Sequence, residues 1–355
     1  MRALGFDIRI ALLLAAVLGV AAGCSPRSEP LEGIRPDPDY SGRFRFEFQA
    51  MGTDAALVVC AQDPRSARRM IGPAVEQVRT VESLMSMFRP DSDVGQLNAA
   101  GAQHPVRVSP LTLRVLRASA HFSQLTGGAF DATYTPLRSV WLKAQGAGAF
   151  PPEEELRRAL ASVGFDKLVL SDGAAMFAGE GMSVDLGGIA KGFAIDLAAE
   201  AMKGAGAQAA LVDIGGDIRV VGRPGAGESW RILVRDPRGE GQPPIVLRLS
   251  DVAVATSGDY ARYFSVGGRR FSHIIDPRTG WPVQDVPSAT VVAPDATTAD
   301  ALATGISVLG AQKGLELIAS LPGVECMIMA REAGEGEAQG PTRLYYSKDF
   351  RTLVE

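Results

Sequence analysis

Residues 209–222 read AALVDIGGDIRVVG and indicate the class of fold. Two β-type runs, ALVDI and DIRVV, flank the glycine pair Gly215-Gly216, which is typical of a tight hairpin between antiparallel strands. Asp213 and Asp217 are then best explained as turn residues. Three more β runs, WRILVR, IVLRL and VAVAT, follow without an intervening helical pattern. This part of the chain therefore predicts antiparallel strands rather than the strand–helix–strand units of a parallel sheet.

Helical and strand-like patterns alternate on both sides of this hairpin. FRFEFQA and DAALVVC predict two strands around a turn at Met51-Gly52-Thr53, and apolar residues at helical spacing predict a helix over 65–85. Further helices are predicted at 110–125, from 153, at 187–203 and over 296–321; short strands are predicted within 167–185 and at 271–275 and 288–293, followed by a final strand pair. Because these elements lack a regular βαβ order, the sequence predicts an α+β fold, with mixed, mostly antiparallel strands and helices in a single large domain at 43–355.

Composition excludes one class of partner and bears on the cysteines. The 355 residues are 46% apolar and carry a formal net charge of −4, with no basic run. Nucleic acid is therefore excluded as the main partner, because phosphate backbones require clustered Lys and Arg. Cys60 and Cys326 each lie in an apolar run and could pair, but a domain of this size needs no disulfide, which favours buried free thiols.

The first 42 residues are predicted to export and anchor the protein rather than to join its fold. An apolar run at 10–22 is too short to span a bilayer comfortably, and it ends in AAGC at 21–24. This ending resembles a bacterial lipoprotein cleavage site with Cys24 as the lipidated residue; an ordinary signal peptide with a chance cysteine is the alternative. We expect a lipoprotein signal peptide at 1–23, a Pro-rich tether at 24–42, and a lipid anchor in the bacterial cell membrane on the periplasmic side.

The run DATTADALATGISVLG at 295–310 contains a candidate cation site. Asp300 and Thr304 are four residues apart, which places a carboxylate and a hydroxyl side by side on one face of a helix. Hard oxygen ligands among small residues suit Mg²⁺ or Ca²⁺, which would keep further positions for water or phosphate. The alternative is a capping box, Thr297-x-x-Asp300, in which Asp300 only caps the helix and Thr304 fills the core.

The run SVDLGGIAKG at 183–192 predicts a strand, a glycine turn and the start of a helix. Such a turn exposes backbone N–H groups at a helix N-terminus, where an anion can bind. Lys191 opposes the helix dipole in the first turn, so we expect either a ligand phosphate or Asp185 to hold it. A tight turn with a solvated lysine explains the run equally well.

Two further side chains could contact a ligand or take part in chemistry. Phe88, in the polar loop 86–98, could stack on a ring or could cover the core. His273, one of three histidines, ends a predicted strand before Asp276-Pro277 and could act as a base or be a structural histidine. The sequence has no G-x-S-x-G elbow and no His/Cys zinc spacing, which disfavours the common serine hydrolases and zinc enzymes.

Eight segments, taken in order, resemble the FAD:protein FMN transferases, the ApbE-like family formerly described as thiamine biosynthesis lipoproteins. They span about residues 50–310 and read MGT, SMFRPDSDVGQLN, GGAFDATYTPL, VDLGGIAKG, DIGGDI, ATSGDYARYF, HIIDPRTGWPV and DALATGISVLG. The lipoprotein-like N-terminus also fits this family. The resemblance implies a T-fold-like α+β domain and a transferase that binds FAD in a cleft, with Mg²⁺ on the pyrophosphate.

The resemblance also implies roles for individual residues. Asp300 and Thr304 match the family's side-chain metal ligands, and Gly188 matches a backbone carbonyl ligand. Positions that match flavin contacts are Met51, Phe88, Ala129, Phe130, Asp131, Asp185, Lys191 and Ile274. The family often has Tyr or Trp at the Phe88 position; stacking on a ring survives that change, whereas a hydroxyl contact does not.

The implied reaction moves FMN from FAD to a threonine hydroxyl of an acceptor protein and releases AMP. The implied acceptor is a flavoprotein subunit of a membrane redox complex or an exported reductase. A proton acceptor is expected near the threonine hydroxyl, and His273 is the candidate, with Asp276 orienting the turn. The sequence leaves two alternatives open: a metal-dependent FAD pyrophosphatase that uses water in place of threonine, and a non-catalytic flavin-binding lipoprotein.

Overall fold

The computed structural model describes residues 33–37, 42–235, 243–258, 263–331 and 341–355. The predicted signal peptide, Cys24 and most of the predicted tether lie outside these ranges. Within the tether, Arg35–Pro36 pairs with the strand that follows it, so strand pairing begins before Arg43. No helix of the described ranges is both long enough and apolar enough to cross a membrane.

Strands occur along almost the whole described part of the chain. They are β1 (Arg35–Pro36), β2 (Arg43–Ala50), β3 (Thr53–Cys60), β4 (Val106–Arg107), β5 (Leu168–Ser171), β6 (Ala174–Phe177), β7 (Ala210–Ile214), β8 (Asp217–Val221), β9 (Trp230–Val234), β10 (Ile245–Leu249), β11 (Ala253–Gly258), β12 (Tyr263–Val266), β13 (Arg269–Ser272), β14 (Ser288–Ala293), β15 (Glu325–Arg331) and β16 (Thr342–Tyr346). In the described ranges, nine of them form one antiparallel sheet in the order β1-β2-β3-β7-β8-β11-β14-β15-β16. Three small antiparallel sheets, β9–β10, β12–β13 and β4-β6-β5, complete the set over the same ranges.

The predicted hairpin around Gly215-Gly216 lies in the middle of the large sheet. Ile214 ends β7, Asp217 begins β8, and the two residues face each other across the turn. Both glycines have positive φ, 67° and 89°, a conformation that glycine adopts without a steric penalty. The described ranges fall within one compact unit, so the predicted single domain of mixed helices and mostly antiparallel strands is confirmed.

The described ranges contain the helices α1 (Pro64–Met85), α2 (Asp93–Ala100), α3 (Pro110–Leu125), α4 (Thr135–Ala147), α5 (Glu153–Ala161), α6 (Ala190–Gly204) and α7 (Ala296–Ala319). Helices α1, α6 and α7 cover one face of the large sheet, whereas α4 and α5 pack with the β12–β13 hairpin in a separate apolar cluster. Alternation along β3 separates the two faces: Leu57 and Val59 pack in the core beneath the helices, whereas Val58 packs against the β9–β10 hairpin on the other face. The large sheet is therefore buried on both faces by different layers.

Element boundaries differ from the sequence prediction where glycines or turns intervene. Helix α6 begins at Ala190, three residues later than predicted, because Gly187-Gly188 forms the preceding turn and Ile189 has non-helical backbone angles. The predicted strand at 271–275 ends at Ser272. The predicted helical region 296–321 contains one break, at Gly310, where φ is 83°.

Cys60 and Cys326 are both free, as predicted; Cys326 is buried, whereas Cys60 is only half-buried. Cys60 lies at the end of β3 and Cys326 on β15, five strand spacings apart in the sheet. At about 4.8 Å a spacing this separates them by about 24 Å, far beyond the reach of a disulfide. Burial raises the pKa of the Cys326 thiol to about 12, so it stays protonated at neutral pH.

Candidate active site

One end of the large sheet meets the first turn of α6 and the second turn of α7. Two hairpin turns lie side by side there, at Met51-Gly52 between β2 and β3 and at Gly215-Gly216 between β7 and β8. They are in close contact, since a Cβ added to Gly215 would lie 2.9 Å from Thr53 Cγ2. This end of the sheet brings together side chains that are distant in the sequence.

Lys191 joins two buried carboxylates at this point. Its Nζ donates to Asp217 Oδ2 and, at 3.3 Å, to Asp300 Oδ1. Each carboxylate is also held by a backbone amide: Thr256 N–H donates to Asp217 Oδ1 at 3.2 Å, and Gly192 N–H donates to Asp300 Oδ2 at 3.0 Å. The two aspartates are each 3% exposed, so both carboxylates are held in place inside the protein.

Burial and mutual charge shift the titration of these groups. Burial disfavours the charged form of Lys191, but Asp217 and Asp300 outweigh it and hold the pKa of Lys191 above its usual value. Burial raises the pKa of Asp300, and the negative charge of Asp217 adds to the rise, while Lys191 and the Gly192 N–H oppose it. The one positive charge of Lys191 is shared between two carboxylates.

The capping-box interpretation of Asp300 is wrong. The N-cap of α7 is Asp295, whose carboxylate accepts the Thr298 N–H at 2.8 Å. Thr297 donates its hydroxyl to Asp196 instead of starting a capping box with Asp300. Asp300 thus lies in the second turn of α7 and points into the cluster, as the helical spacing with Thr304 predicted.

Thr304 provides the second polar group on this face of α7. Its hydroxyl lies 3.3 Å from the Ser257 hydroxyl at the end of β11. The backbone of Gly188 passes close by: a Cβ added there would lie 3.1 Å from Thr304 Oγ1 and 3.4 Å from the Phe130 ring. A larger residue at this position would crowd the Thr304 hydroxyl. The three predicted metal-ligand positions, Gly188, Asp300 and Thr304, thus lie on adjoining parts of one site.

The oxygen groups around this space fit Mg²⁺. One carboxylate, two hydroxyls and a main-chain segment supply hard donors, which Mg²⁺ prefers, and Mg²⁺ commonly keeps several waters or phosphate oxygens. The described residues contain no group of three or more His, Cys, Asp or Glu side chains arranged to hold a metal. A divalent cation here would therefore rely on Asp300 for charge and on neutral oxygens for the rest.

Asp185 does not hold Lys191, and that part of the sequence prediction is wrong. The Asp185 carboxylate accepts the Gly187 N–H at 2.8 Å and the Tyr134 hydroxyl at 3.3 Å. It therefore stabilises the glycine turn before α6. Lys191 pairs with Asp217 instead of Asp185, because the fold of the sheet brings Asp217 close to it from 26 residues away in the sequence.

The predicted flavin segment 129–131 lies against the same helix. Ala129 packs in a small apolar cluster with Ile274 and with Val308 of α7. Phe130 is buried beside Gly188. Asp131 is also buried, and its carboxylate accepts the backbone N–H groups of Thr133 at 2.8 Å and Phe165 at 2.9 Å, as well as two hydroxyls. Ala129, Phe130 and Ile274 thus adjoin α7. Asp131 fixes the loop that carries Ala129 and Phe130.

The predicted base, His273, directly follows β13 and is half-buried. Three residues later, Asp276 closes a turn: its carboxylate accepts the backbone N–H of Arg278 at 2.9 Å and pairs with both ends of the Arg278 guanidinium. The Asp276 N–H donates to the Trp281 carbonyl at 2.9 Å. Asp276 therefore orients the turn that follows His273, as predicted. Its carboxylate forms an ion pair with Arg278.

Comparisons with known proteins identify the family. The model of the ApbE family matches residues 51–328. The chain belongs to the ApbE family. The resemblance drawn from the eight sequence segments is therefore confirmed.

Individual relatives of this ApbE family member agree with the transferase class. A FAD:protein FMN transferase of Treponema pallidum is 33% identical over 342 residues, covering 90% of each chain. One of Vibrio cholerae is 36% identical over 309 residues, covering 86% of this chain and 89% of the relative. Among solved structures, the flavin transferase ApbE of Vibrio cholerae matches with a TM-score of 0.75 and 29% identity, covering 88% of this chain and 99% of the other. The ApbE protein of Thermotoga maritima matches with a TM-score of 0.75, 32% identity and the same coverage.

The last two predicted flavin contacts lie on turns. Met51 adopts a positive φ of 52°, and its N–H donates to Glu82 Oε1 of α1 at 2.6 Å, which fixes the β2–β3 turn. Phe88 follows α1 and is 76% exposed, so it does not cover the core. An aromatic ring held this far out of the protein suits the stacking role that the family resemblance implies.

Two residues of this site were missed at the sequence level. Asp217 was interpreted only as a turn residue. Its position opposite buried Ile214, however, places it on the helix-covered face of the sheet, where a buried carboxylate requires a hydrogen-bond or ion-pair partner. Asp196 of α6 accepts the Ala296 and Thr297 backbone N–H groups and thereby holds the start of α7. Its burial raises its pKa, and no local motif predicts this contact across 100 residues.

Proposed function

We propose that this protein transfers the FMN moiety of FAD to a threonine hydroxyl of an acceptor protein, in a Mg²⁺-dependent reaction that releases AMP. Two lines of support come together. The relatives carry the name FAD:protein FMN transferase. The observation that carries the proposal here is the Lys191–Asp217–Asp300 cluster, which adjoins Gly188 and Thr304 at a helix N-terminus and can receive both a divalent cation and a pyrophosphate.

The residues of the site have distinct tasks in this reaction. Lys191 is 28% exposed at its side chain, so its ammonium can reach a ligand phosphate while Asp217 holds it. The N-terminus of α6 supplies backbone N–H groups that favour an anion. Asp300, Thr304 and the Gly188 carbonyl would hold Mg²⁺, which supplies charge neutralisation on the pyrophosphate when bound.

The transfer step replaces the phosphoanhydride bond of FAD by a phosphate ester bond to the acceptor. A bond forms between the threonine oxygen and the FMN phosphorus, and the bond from that phosphorus to the bridging oxygen of the pyrophosphate breaks, so AMP leaves with the bridging oxygen. In this proposal His273 accepts the threonine proton, because an unactivated hydroxyl is a weak nucleophile. Asp276 positions the turn after His273 through its pairing with Arg278.

The N-terminal sequence supports a proposal for the compartment in which the reaction takes place. We propose that Cys24 is lipidated and anchors the protein to the bacterial cell membrane on its periplasmic side. The acceptor is then a flavoprotein that faces the same compartment, either a subunit of a membrane redox complex or an exported reductase. FAD is the flavin donor, and nucleic acid is not a partner.

The test is to incubate the full chain with FAD and Mg²⁺, with and without a domain that carries an acceptor threonine. Intact mass of the acceptor and release of AMP are followed together. An acceptor mass that rises by one FMN less one water, with one AMP formed for each acceptor modified, supports the transferase. AMP and free FMN formed at the same rate without acceptor would identify a pyrophosphatase, and bound FAD without AMP would identify a flavin-binding protein.

A further inference from the structure

Lys191 is shared by two carboxylates that differ in their relation to the cation site. Asp300 belongs to the oxygen groups that would hold Mg²⁺, and it accepts a hydrogen bond from Lys191 at 3.3 Å. Asp217 lies on β8 and also accepts a hydrogen bond from Lys191. Asp217 has no counterpart among the residues that the family resemblance assigns to metal or flavin.

The charge arrangement explains why both carboxylates are needed. Two carboxylates and one ammonium leave the buried cluster with a net charge of −1, which favours a further cation. If Asp300 were the only partner of Lys191, the pair would be neutral, and Lys191 would compete directly with a divalent cation for the same oxygens. An ammonium beside buried carboxylates needs an acceptor, and Asp217 supplies one when Lys191 releases Asp300.

Asp217 is rigidly placed for this task. It is 3% exposed, it begins β8 immediately after the Gly215-Gly216 turn, and its other oxygen accepts the Thr256 N–H at 3.2 Å. Lys191, in contrast, carries a long side chain that is partly exposed. Movement of the ammonium between the two carboxylates therefore requires a change in Lys191 alone.

We propose that Asp217 is a positioning residue: it holds the Lys191 ammonium beside Asp300, so that Asp300 can bind a divalent cation while Lys191 binds the FAD pyrophosphate. This inference rests on the proposed function, since it concerns the same cation and the same flavin nucleotide. It assigns to the hairpin turn a role in preparing the site, in addition to its role in the sheet.

The test uses Asp217→Asn in the full chain, with Asp213→Asn as the matched control. The amide has the shape of the carboxylate and can still accept the Thr256 N–H, so the hairpin is kept. Asp213 lies in the same hairpin but accepts the Gly216 N–H at 2.9 Å and does not contact Lys191. Two affinities are measured: Mn²⁺ binding without FAD, by electron paramagnetic resonance, and FAD binding in EDTA, by fluorescence.

Both affinities are expected to fall, and the fall in FAD affinity is the opposite of what the loss of a negative charge alone would cause. Without Asp217 the Lys191 ammonium pairs with Asp300, so we expect Mn²⁺ to bind roughly tenfold more weakly. FAD in EDTA is expected to bind about threefold or more weakly, because Lys191 is no longer held toward the phosphates. If Asp217 acted only as a negative charge, its removal would instead tighten the binding of anionic FAD.

Three outcomes overturn the inference: unchanged Mn²⁺ affinity in Asp217→Asn, unchanged or tighter FAD binding in that variant, or equal losses in Asp213→Asn. Wild-type protein that transfers FMN but binds no Mn²⁺ at this site would also overturn it, while leaving flavin transfer intact. Protein that shows the expected pattern of both affinities but transfers no FMN would support the positioning role and refute the proposed function.

Discussion

Replacing Gly192 by alanine would test how closely α6 and α7 must approach for the site to form. A Cβ at this position would lie 2.6 Å from the Ala296 carbonyl carbon, closer still to its oxygen, and 2.9 Å from Thr297 Cα. These are backbone atoms at the start of α7, so no side-chain rotation can relieve the contact. Ordinary contacts begin at 3.4 Å, so the carbonyl carbon alone requires the helices to separate by about 0.8 Å, and the carbonyl oxygen requires more.

The energetic balance favours a net loss of stability. Overpacking lowers the free energy of unfolding by about 1–3 kcal/mol, and we expect the upper end because the added Cβ meets backbone atoms of α7. Alanine in place of glycine returns up to about 1 kcal/mol of helix propensity. The net loss of about 2 kcal/mol corresponds to a fall in Tm of roughly 4 °C for a domain of this size.

The same change should disturb the site, because the Gly192 N–H holds Asp300 Oδ2 at 3.0 Å. We therefore expect Gly192→Ala to lower both the Tm and the Mn²⁺ affinity. Gly204→Ala is the control on the same helix: an added Cβ there meets no atom within 4 Å, so the variant should be as stable as wild type or slightly more stable. Differential scanning calorimetry measures both variants. A Gly192→Ala protein with unchanged Tm and unchanged Mn²⁺ binding would refute this reasoning.

Substitutions at three other residues separate the tasks of the site. Asp300→Ala should lower Mg²⁺-dependent flavin transfer by more than about a hundredfold, because even an outer-shell partner of a metal contributes ten- to a hundredfold, and activity near that of wild type would contradict the metal assignment. His273→Ala should slow single-turnover transfer by about 10²–10⁴-fold with FAD affinity retained, and near-normal transfer would exclude His273 as the base. Phe88→Ala should leave the free energy of unfolding within about 0.5 kcal/mol of wild type, since the ring is 76% exposed. It should weaken FAD binding by about 0.5–1.5 kcal/mol, whereas Phe88→Trp should retain it; equal FAD titrations for all three proteins would argue against stacking.

Local patterns in the sequence predicted the local structure well. The 3.6-residue spacing of apolar side chains predicted a helix over 65–85, and the structure has α1 at Pro64–Met85, with Asp63 capping its first turn. The hairpin at Gly215-Gly216 was predicted because a two-residue glycine turn fixes its own register. The shared helix face of Asp300 and Thr304 likewise followed from their spacing alone.

Contacts across long separations could not be predicted in this way. Lys191 was expected to meet either a ligand phosphate or Asp185, six residues away. Its protein partners are instead Asp217 and Asp300, because the order of strands brings β8 and α7 to the start of α6. That order places β3 next to β7, about 150 residues later in the chain, and no local spacing encodes it. The contact of Asp196, on α6, with the start of α7 was missed for the same reason.

The most direct test of the account is single-turnover transfer by wild type and Asp300→Ala, followed by the intact mass of an acceptor domain. The account predicts that wild type, with FAD and Mg²⁺, adds one FMN less one water to the acceptor and releases one AMP, and that Asp300→Ala adds none on the same timescale. Equal modification of the acceptor by both proteins would contradict the claim that flavin transfer takes place at the junction of α6, α7 and the β7–β8 hairpin.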